Sequence, residues 1–202
     1  MAMNSTLAYY ADNAQDFFDN THGKEMTEIY ERLLPLLPLG AAILDAGCGS
    51  GRDTRYFLSE GFKVDAFDAS EAMATLASGF IGQPVAVHAF CDVDKDEHYD
   101  AVWAAASLLH LPFSELPDTF QHLAGALKDG GCFYASFKYG TKEYCKEGRH
   151  FTQMDYGKVE KLFELLPSLS IQSVWLSDDV RQERKGEKWL NLLAKKETRD
   201  ND

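Results

Sequence analysis

The stretch "ILDAGCGSGRDTRYFLSEGFKVDAFDAS", Ile43 to Ser70, decides the fold. A short apolar run ends at Asp45. Glycines then alternate at Gly47, Gly49 and Gly51, a helical pattern follows over 52–60, and "FKVDAFD" reads as the next strand. Strand, glycine turn, helix and strand together form a ligand-holding device. Glycine permits φ > 0 and lets a ligand touch the main chain. The N-terminus of the following helix presents free N–H groups and a partial positive charge.

Working outward, residues 24–37 carry Met26, Ile29, Tyr30, Leu33 and Leu37 at helical spacing, closed by Pro35 and Pro38. Ser70 is placed to cap a helix over 71–79, with Glu71 near its positive end. "PVAVHAF" (84–90), "YDAVWAAAS" (99–107) and "CFYASFK" (132–138) read as further strands. Residues 114–128 read as a helix stopped by Asp129-Gly130-Gly131, and 152–166 as another ended by Pro167. "LSIQSVWLSDD" and "EKWLNLLAKK" leave no room for a helix between them, so they pair as an antiparallel hairpin. Five strands alternating with helices predict a parallel sheet covered on both faces. The least ordered segments are expected at 1–10, 140–151 and 197–202.

The totals narrow the function classes. A chain of 202 residues is expected to form one domain. Lys plus Arg is 20 against 32 Asp plus Glu, a formal charge of −12. That field repels polyanions, so nucleic acid and anionic membrane surfaces are disfavoured as partners. The basic cluster Arg181, Arg184, Lys185 and Lys188 is interleaved with Asp178, Asp179, Glu183 and Glu187 and reads as a solvated hairpin turn. No apolar run approaches the ~20 residues of a membrane span, and the N-terminus lacks a signal core. Cys48, Cys91, Cys132 and Cys145 are scattered, as expected of reduced core or site-lining thiols in the cytoplasm. No zinc pattern is present.

Three details of the opening stretch sharpen the ligand. A dinucleotide fingerprint wants a small residue at position 52, which is Arg52. A phosphate loop wants a lysine that is absent. Asp45, beside the turn, would repel a pyrophosphate but can orient an ammonium, directly or through water. Asp68 ends the second strand, where a carboxylate can accept from two ribose hydroxyls. Asp92 follows the third strand and can reach an adenine amino group, with Met73 or Val93 against the base. An adenosine with a cationic amino-acid end and no phosphate is S-adenosylmethionine.

In "LDAGCGSG" and the motif order over 41–140 the chain resembles the class I S-adenosylmethionine-dependent methyltransferases. "GCGSGRDTRYFLSEGFKVDAFDAS" is also similar to the small tellurite-resistance type. The resemblance implies a Rossmann-like α/β fold: a seven-stranded mixed sheet of order 3-2-1-4-5-7-6, strand 7 antiparallel, with helices on both faces. It divides the single domain into an N-terminal helical lid (1–38), a cofactor-binding core (41–140) and a C-terminal helix with hairpin (141–196). It implies that Gly47, Cys48, Gly49 and Gly51 take the methionine end. Asp68, with Ala69 and Ser70 beside it, takes the ribose, Asp92 and Val93 the adenine, and Ala105 and Ala106 the floor.

Methyl transfer from a sulfonium needs alignment more than acid–base catalysis, so no catalytic residue is assigned. His110 is the best base candidate near the acceptor side, though it reads more readily as a structural capping histidine. Arg149 is a candidate contact for an anionic acceptor. Tyr9, Tyr10, Phe17 and Phe18 fit a lid over the cofactor, with Tyr10 facing it, or a plain packing face. The Asn/Asp-Pro-Pro-aromatic motif of nucleobase methylation is replaced by Ala-Ala-Ala-Ser, so a small-molecule acceptor is expected, on a monomer or homodimer. The competing readings are an NAD- or nucleotide-sugar-binding oxidoreductase and a non-catalytic cofactor-binding protein.

Overall fold

The computed structural model describes residues 2–181 and 184–198. The sheet grows from β1 (Ala42–Ala46), whose residues after Ala42 are all buried. It pairs in parallel with β2 (Lys63–Asp68) on one side and β4 (Tyr99–Ala104) on the other. A strand without polar alternation has to be covered on both faces, and here it is. β3 (Ala86–Val87) extends the sheet beyond β2, and β5 (Leu127–Lys138) extends it beyond β4. The terminal hairpin of β8 (Leu169–Asp178) and β9 (Lys188–Lys196) completes it, with β9 running antiparallel between β5 and β8. The spatial order is β3-β2-β1-β4-β5-β9-β8. Counting only these seven strands, that is 3-2-1-4-5-7-6, the order the resemblance implied.

The helices are α1 (Ala2–Asp12), α2 (Ala14–Thr21), α3 (Thr27–Leu33), α4 (Arg52–Ser59), α5 (Glu71–Ile81), α6 (Leu116–Gly125) and α7 (Tyr156–Phe163). Ser70 caps α5 as expected, its Oγ accepting from the Met73 N–H at 3.4 Å. The core falls on both sheet faces. One side packs Leu44, Val102, Phe120, Phe133, Phe137 and Leu192. The other packs Tyr30, Leu33, Ile43, Phe57, Trp103 and Tyr134.

Three expectations need correction. The segment 140–151 is not an unstructured loop: β6 (Glu143–Lys146) and β7 (Arg149–Thr152) form a separate antiparallel hairpin. Residues 2–10 lie in α1. The third strand shortens to Ala86–Val87, because the chain turns at Phe90–Asp92 into a 3-10 helix. Asp129-Gly130-Gly131 is not a helix stop. α6 ends at Gly125, and 128–131 bulge out of β5 between the pairs Tyr99–Leu127 and Ala101–Cys132. The tail from 199 lies outside the described residues. Of the cysteines, Cys132 is buried and Cys48 partly so, whereas Cys91 and Cys145 are exposed rather than core residues. The turn cations are paired, Arg181 with Asp179, Arg184 with Glu187 and Lys188 with Asp178, and the Arg181–Asp179 pair is largely buried rather than solvated.

Gly47 shows how tightly the turn is built. Its φ is +80°, and a Cβ there would lie 2.6 Å from Ser107 Cβ. Gly47→Ala should lower the unfolding free energy by about 2–5 kcal/mol, from left-handed strain plus overpacking. Gly79, exposed within α5 with nothing within 4 Å of its would-be Cβ, should gain about 0.5–1 kcal/mol as Ala. Urea unfolding of the two variants checks both signs; a Gly47→Ala midpoint equal to wild type would disprove the close approach.

Candidate cofactor and acceptor site

The turn from Gly47 to Gly51 leaves β1 at its C-terminal end, the side on which open parallel sheets bind ligands. The Gly47 and Cys48 N–H groups both bond to the Phe67 carbonyl, at 3.0 and 2.9 Å. This ties the turn to the end of β2. Asp68, the last residue of β2, accepts from the Gly49 N–H at 3.0 Å through Oδ2 and from the Ser70 N–H at 2.8 Å through Oδ1. Each oxygen keeps further acceptor capacity, as two ribose hydroxyls require. Burial raises the Asp68 pKa, and those two backbone bonds oppose the rise. Gly51 supplies the close helix contact: a Cβ there would lie 2.9 Å from Ile81 and 3.2 Å from Ala77, both on α5.

A cavity of about 1210 Å³ opens over this turn. Its wall includes Tyr10, Gly47, Cys48, Gly49, Asp68, Ala69, Met73, Ala105, Ala106, His110 and Arg149. Burial pushes the Cys48 thiol up, and Asp45 and Asp68 add to the effect. The thiol is therefore a neutral filler, with no nucleophilic character. Ala106 has φ +52°, and its N–H donates to Ser136 Oγ at 2.9 Å, which fixes the floor after β4. Gly51 and Ser70 do not line the cavity.

Three expected contacts lie elsewhere. Asp45 is 2% exposed and does not line the cavity. Its Oδ2 accepts from Thr54 Oγ1 at 2.6 Å, beneath the turn. Asp92 turns its Oδ2 to the Ala89 N–H at 2.8 Å, and Val93 is buried with its carbonyl on His122. Neither lines the cavity; Phe90 and Met73 occupy that end.

What the sequence reading missed is a charge centre at Asp53, two residues past Gly51. Asp53 is 6% exposed. It accepts from Arg52 Nε and Nη2 at 2.6 and 3.0 Å, from the Tyr30 hydroxyl at 2.5 Å and from Trp103 Nε1 at 2.8 Å. Burial alone would raise its pKa. The adjacent guanidinium and the donated bonds outweigh that and hold it below the usual carboxylate range. Burial, aided by the charge on Asp53, then pushes the neighbouring Asp45 up. Arg52 sits badly in a dinucleotide fingerprint, and its work here is to neutralise Asp53.

The N-terminal helices cover the cavity with half of the aromatic set. Tyr10 and Phe17 line it, their rings edge to face at 5.2 Å. Tyr9 turns to Arg149 and Phe18 to Phe80. Tyr10 and His110 meet: the hydroxyl lies 2.9 Å from Nε2, and Nδ1 lies 2.7 Å from the His150 carbonyl. A carbonyl only accepts, so the proton is on Nδ1 and Tyr10 donates to Nε2. Burial lowers the His110 pKa to about 4 and pushes the Tyr10 hydroxyl up to about 12.

Folding lowers this imidazole's pKa from 6.5 to about 4. The unfolded chain therefore binds a proton that the folded chain refuses. The stability linked to His110 is full above its unfolded pKa and is lost as pH falls from there toward about 4. NMR of the imidazole nitrogens at pH 7 should show the neutral form with the proton on Nδ1, and His110→Gln should flatten that part of the acid loss. A His110 that titrates near its ordinary value would overturn the assignment.

Among the described residues no helix is long and apolar enough to cross a membrane. Residues 18–177 match the family model described as a methyltransferase domain. No curated protein sequence matches. Among solved structures, the chain is similar to the 1,6-didemethyltoxoflavin N1-methyltransferase of Burkholderia thailandensis, bound to 1,6-didemethyltoxoflavin and S-adenosylhomocysteine. That match has a TM-score of 0.77 and 20% identity over 96% of this chain and 88% of the other. It is also similar to the magnesium protoporphyrin IX methyltransferase of Synechocystis PCC 6803 with bound S-adenosylhomocysteine (TM-score 0.72, 18% identity, 94% and 97% covered). A methyltransferase of Methanosarcina mazei matches at TM-score 0.73 and 15% identity over 87% of this chain and all of the other. The chain belongs to the methyltransferase-domain family and has the seven-stranded fold of the S-adenosylmethionine-dependent enzymes.

Proposed function

We propose that this methyltransferase moves a methyl group from S-adenosylmethionine to a small molecule held in the same cavity. The observation that carries the reading is Asp68, bonded to the glycine turn and open to the cavity beside Gly47–Gly49 and Ala69. The cavity exceeds the ~300–1,000 Å³ of ordinary small-ligand pockets, so cofactor and acceptor fit side by side. Neighbours bound to S-adenosylhomocysteine support the choice of cofactor. Arg52 stands where a dinucleotide fingerprint needs a small residue, which counts against NAD.

The cofactor supplies an already activated methyl group. The chain's task is to hold, align and keep water out. The glycine turn takes the methionine end and Asp68 the ribose. Met73 and Phe90 flank the adenine, in place of the Asp92 and Val93 contacts first expected. Tyr10 and Phe17 close the cavity from above. His110, held neutral, accepts the Tyr10 hydrogen bond at Nε2 and carries no charge that could anchor an anion. The acceptor pocket is shaped by α1, α2 and the β6–β7 hairpin, which bring Tyr10, Phe17, Arg149 and Phe151 to the cavity wall.

Asp68→Ala should weaken S-adenosylhomocysteine by about 2–4 kcal/mol, as bonds to a charged acceptor are lost. Calorimetry measures it; tighter binding of NADH by the wild type, or an unweakened folded variant, would sink the reading. Removal of residues 1–20 should leave a folded sheet, raise the dissociation constant for S-adenosylhomocysteine and abolish turnover. A truncated protein working at the full rate would refute the lid.

A further inference from the structure

Arg149 stands apart from the rest of the cavity wall. Its side chain is 10% exposed. Among the described residues, its Nε is the one buried side-chain nitrogen or oxygen without a hydrogen-bond partner. A buried charged donor left unpaired is costly, so native structures seldom keep one without a use. The guanidinium is also held in a fixed plane. Tyr9 covers it at 3.8 Å from ring centroid to Cζ, and Phe151 lies at 5.3 Å. Nη2 donates to Glu147 at 2.7 Å. The β7 strand that carries it is pinned to α1, where the His150 N–H donates to Thr6 Oγ1 at 3.2 Å.

Building on the methyl-transfer reading, we propose that Arg149 is the receptor for a carboxylate on the acceptor, so that the acceptor is a small monocarboxylic acid. A planar guanidinium packed against the Tyr9 ring matches the two oxygens of a carboxylate. One charge is what the site can neutralise. Glu147 already offsets part of Arg149, and Lys138, 5.4 Å from the Phe151 ring centroid, is bonded to Glu187 at 2.9 Å. A phosphate dianion would leave uncompensated charge in a chain of net −12. The cofactor carries a carboxylate too, but its methionine end belongs at Gly47–Gly51, where Arg52 lines the cavity. The partners of Arg149 come from α1, β7 and the turn before β7, none of them from that turn.

The test uses the full chain saturated with S-adenosylhomocysteine, and benzoate and phenylacetate against benzamide and phenylacetamide as probes, followed by ligand-observed NMR titration. The acids should bind about 10- to 100-fold more tightly than the amides, the size of one charge-assisted bond. Arg149→Gln should erase that preference while leaving S-adenosylhomocysteine affinity within about twofold, and Arg149→Lys should restore it only in part. Equal binding of acid and amide by the wild type would overturn the proposal without needing any variant to fold. A large loss of S-adenosylhomocysteine affinity in Arg149→Gln would also overturn it, by giving the residue to the cofactor's carboxylate. A wild type that binds no S-adenosylhomocysteine at all would instead overturn the methyl-transfer reading on which this one rests.

Discussion

The close approach of the Gly47 backbone to Ser107 governs the architecture of the site. The turn must cross the end of β1 with no side chain between it and the residue after β4's exit, and a Cβ at Gly47 would lie 2.6 Å from Ser107 Cβ. Ser107 Oγ in turn donates to the Ala46 carbonyl at 2.7 Å. The ends of β1 and β4 are thereby clamped, and the cavity floor at Ala105 and Ala106 is set by the same contact. Asp68 completes the clamp from β2 through the Gly49 N–H. Three parallel strands thus deliver their C-terminal ends to one turn, and the ligand-facing surface is mostly backbone.

Beneath that surface the chain buries two carboxylates close together, an arrangement that only unequal treatment makes tolerable. Asp53 receives Arg52, Tyr30 and Trp103 and stays ionised. Asp45 receives one threonine hydroxyl and is driven toward its neutral form. The result links α3, α4 and β4 through a single charged atom group, so the helix that starts at the glycine turn cannot shift without moving the central strands.

The apolar runs and the glycine spacing were enough to read the sheet, because a strand covered on both faces and a left-handed turn each leave a compositional mark. The ligand ends of the second strand and the capping of α5 by Ser70 were legible for the same reason. The β6–β7 hairpin was not. Its turn is Glu147-Gly148, with both φ values positive at +53° and +79°, the form usually announced by Asn-Gly or Asp-Gly. Glu in the first position hides it. Asp45 was misplaced because a strand-end carboxylate looks the same whether it faces the ligand or the layer below. Only Thr54, nine residues on, decides which. Asp53 escaped notice since its partners come from positions 30, 52 and 103, and no local pattern relates them.

The placement of β9 has a bearing on how the chain assembles during synthesis. β5 offers its free edge, from Cys132 to Lys138, to residues 189–195. β8 emerges from the ribosome before its neighbour in the sheet and has no partner until β9 follows. A nascent chain complete through α7 therefore holds a five-stranded parallel sheet whose long, apolar last strand is open to any passing strand. The late hairpin acts as a bolt, and translation pauses before residue 196 would prolong the interval in which that edge is exposed.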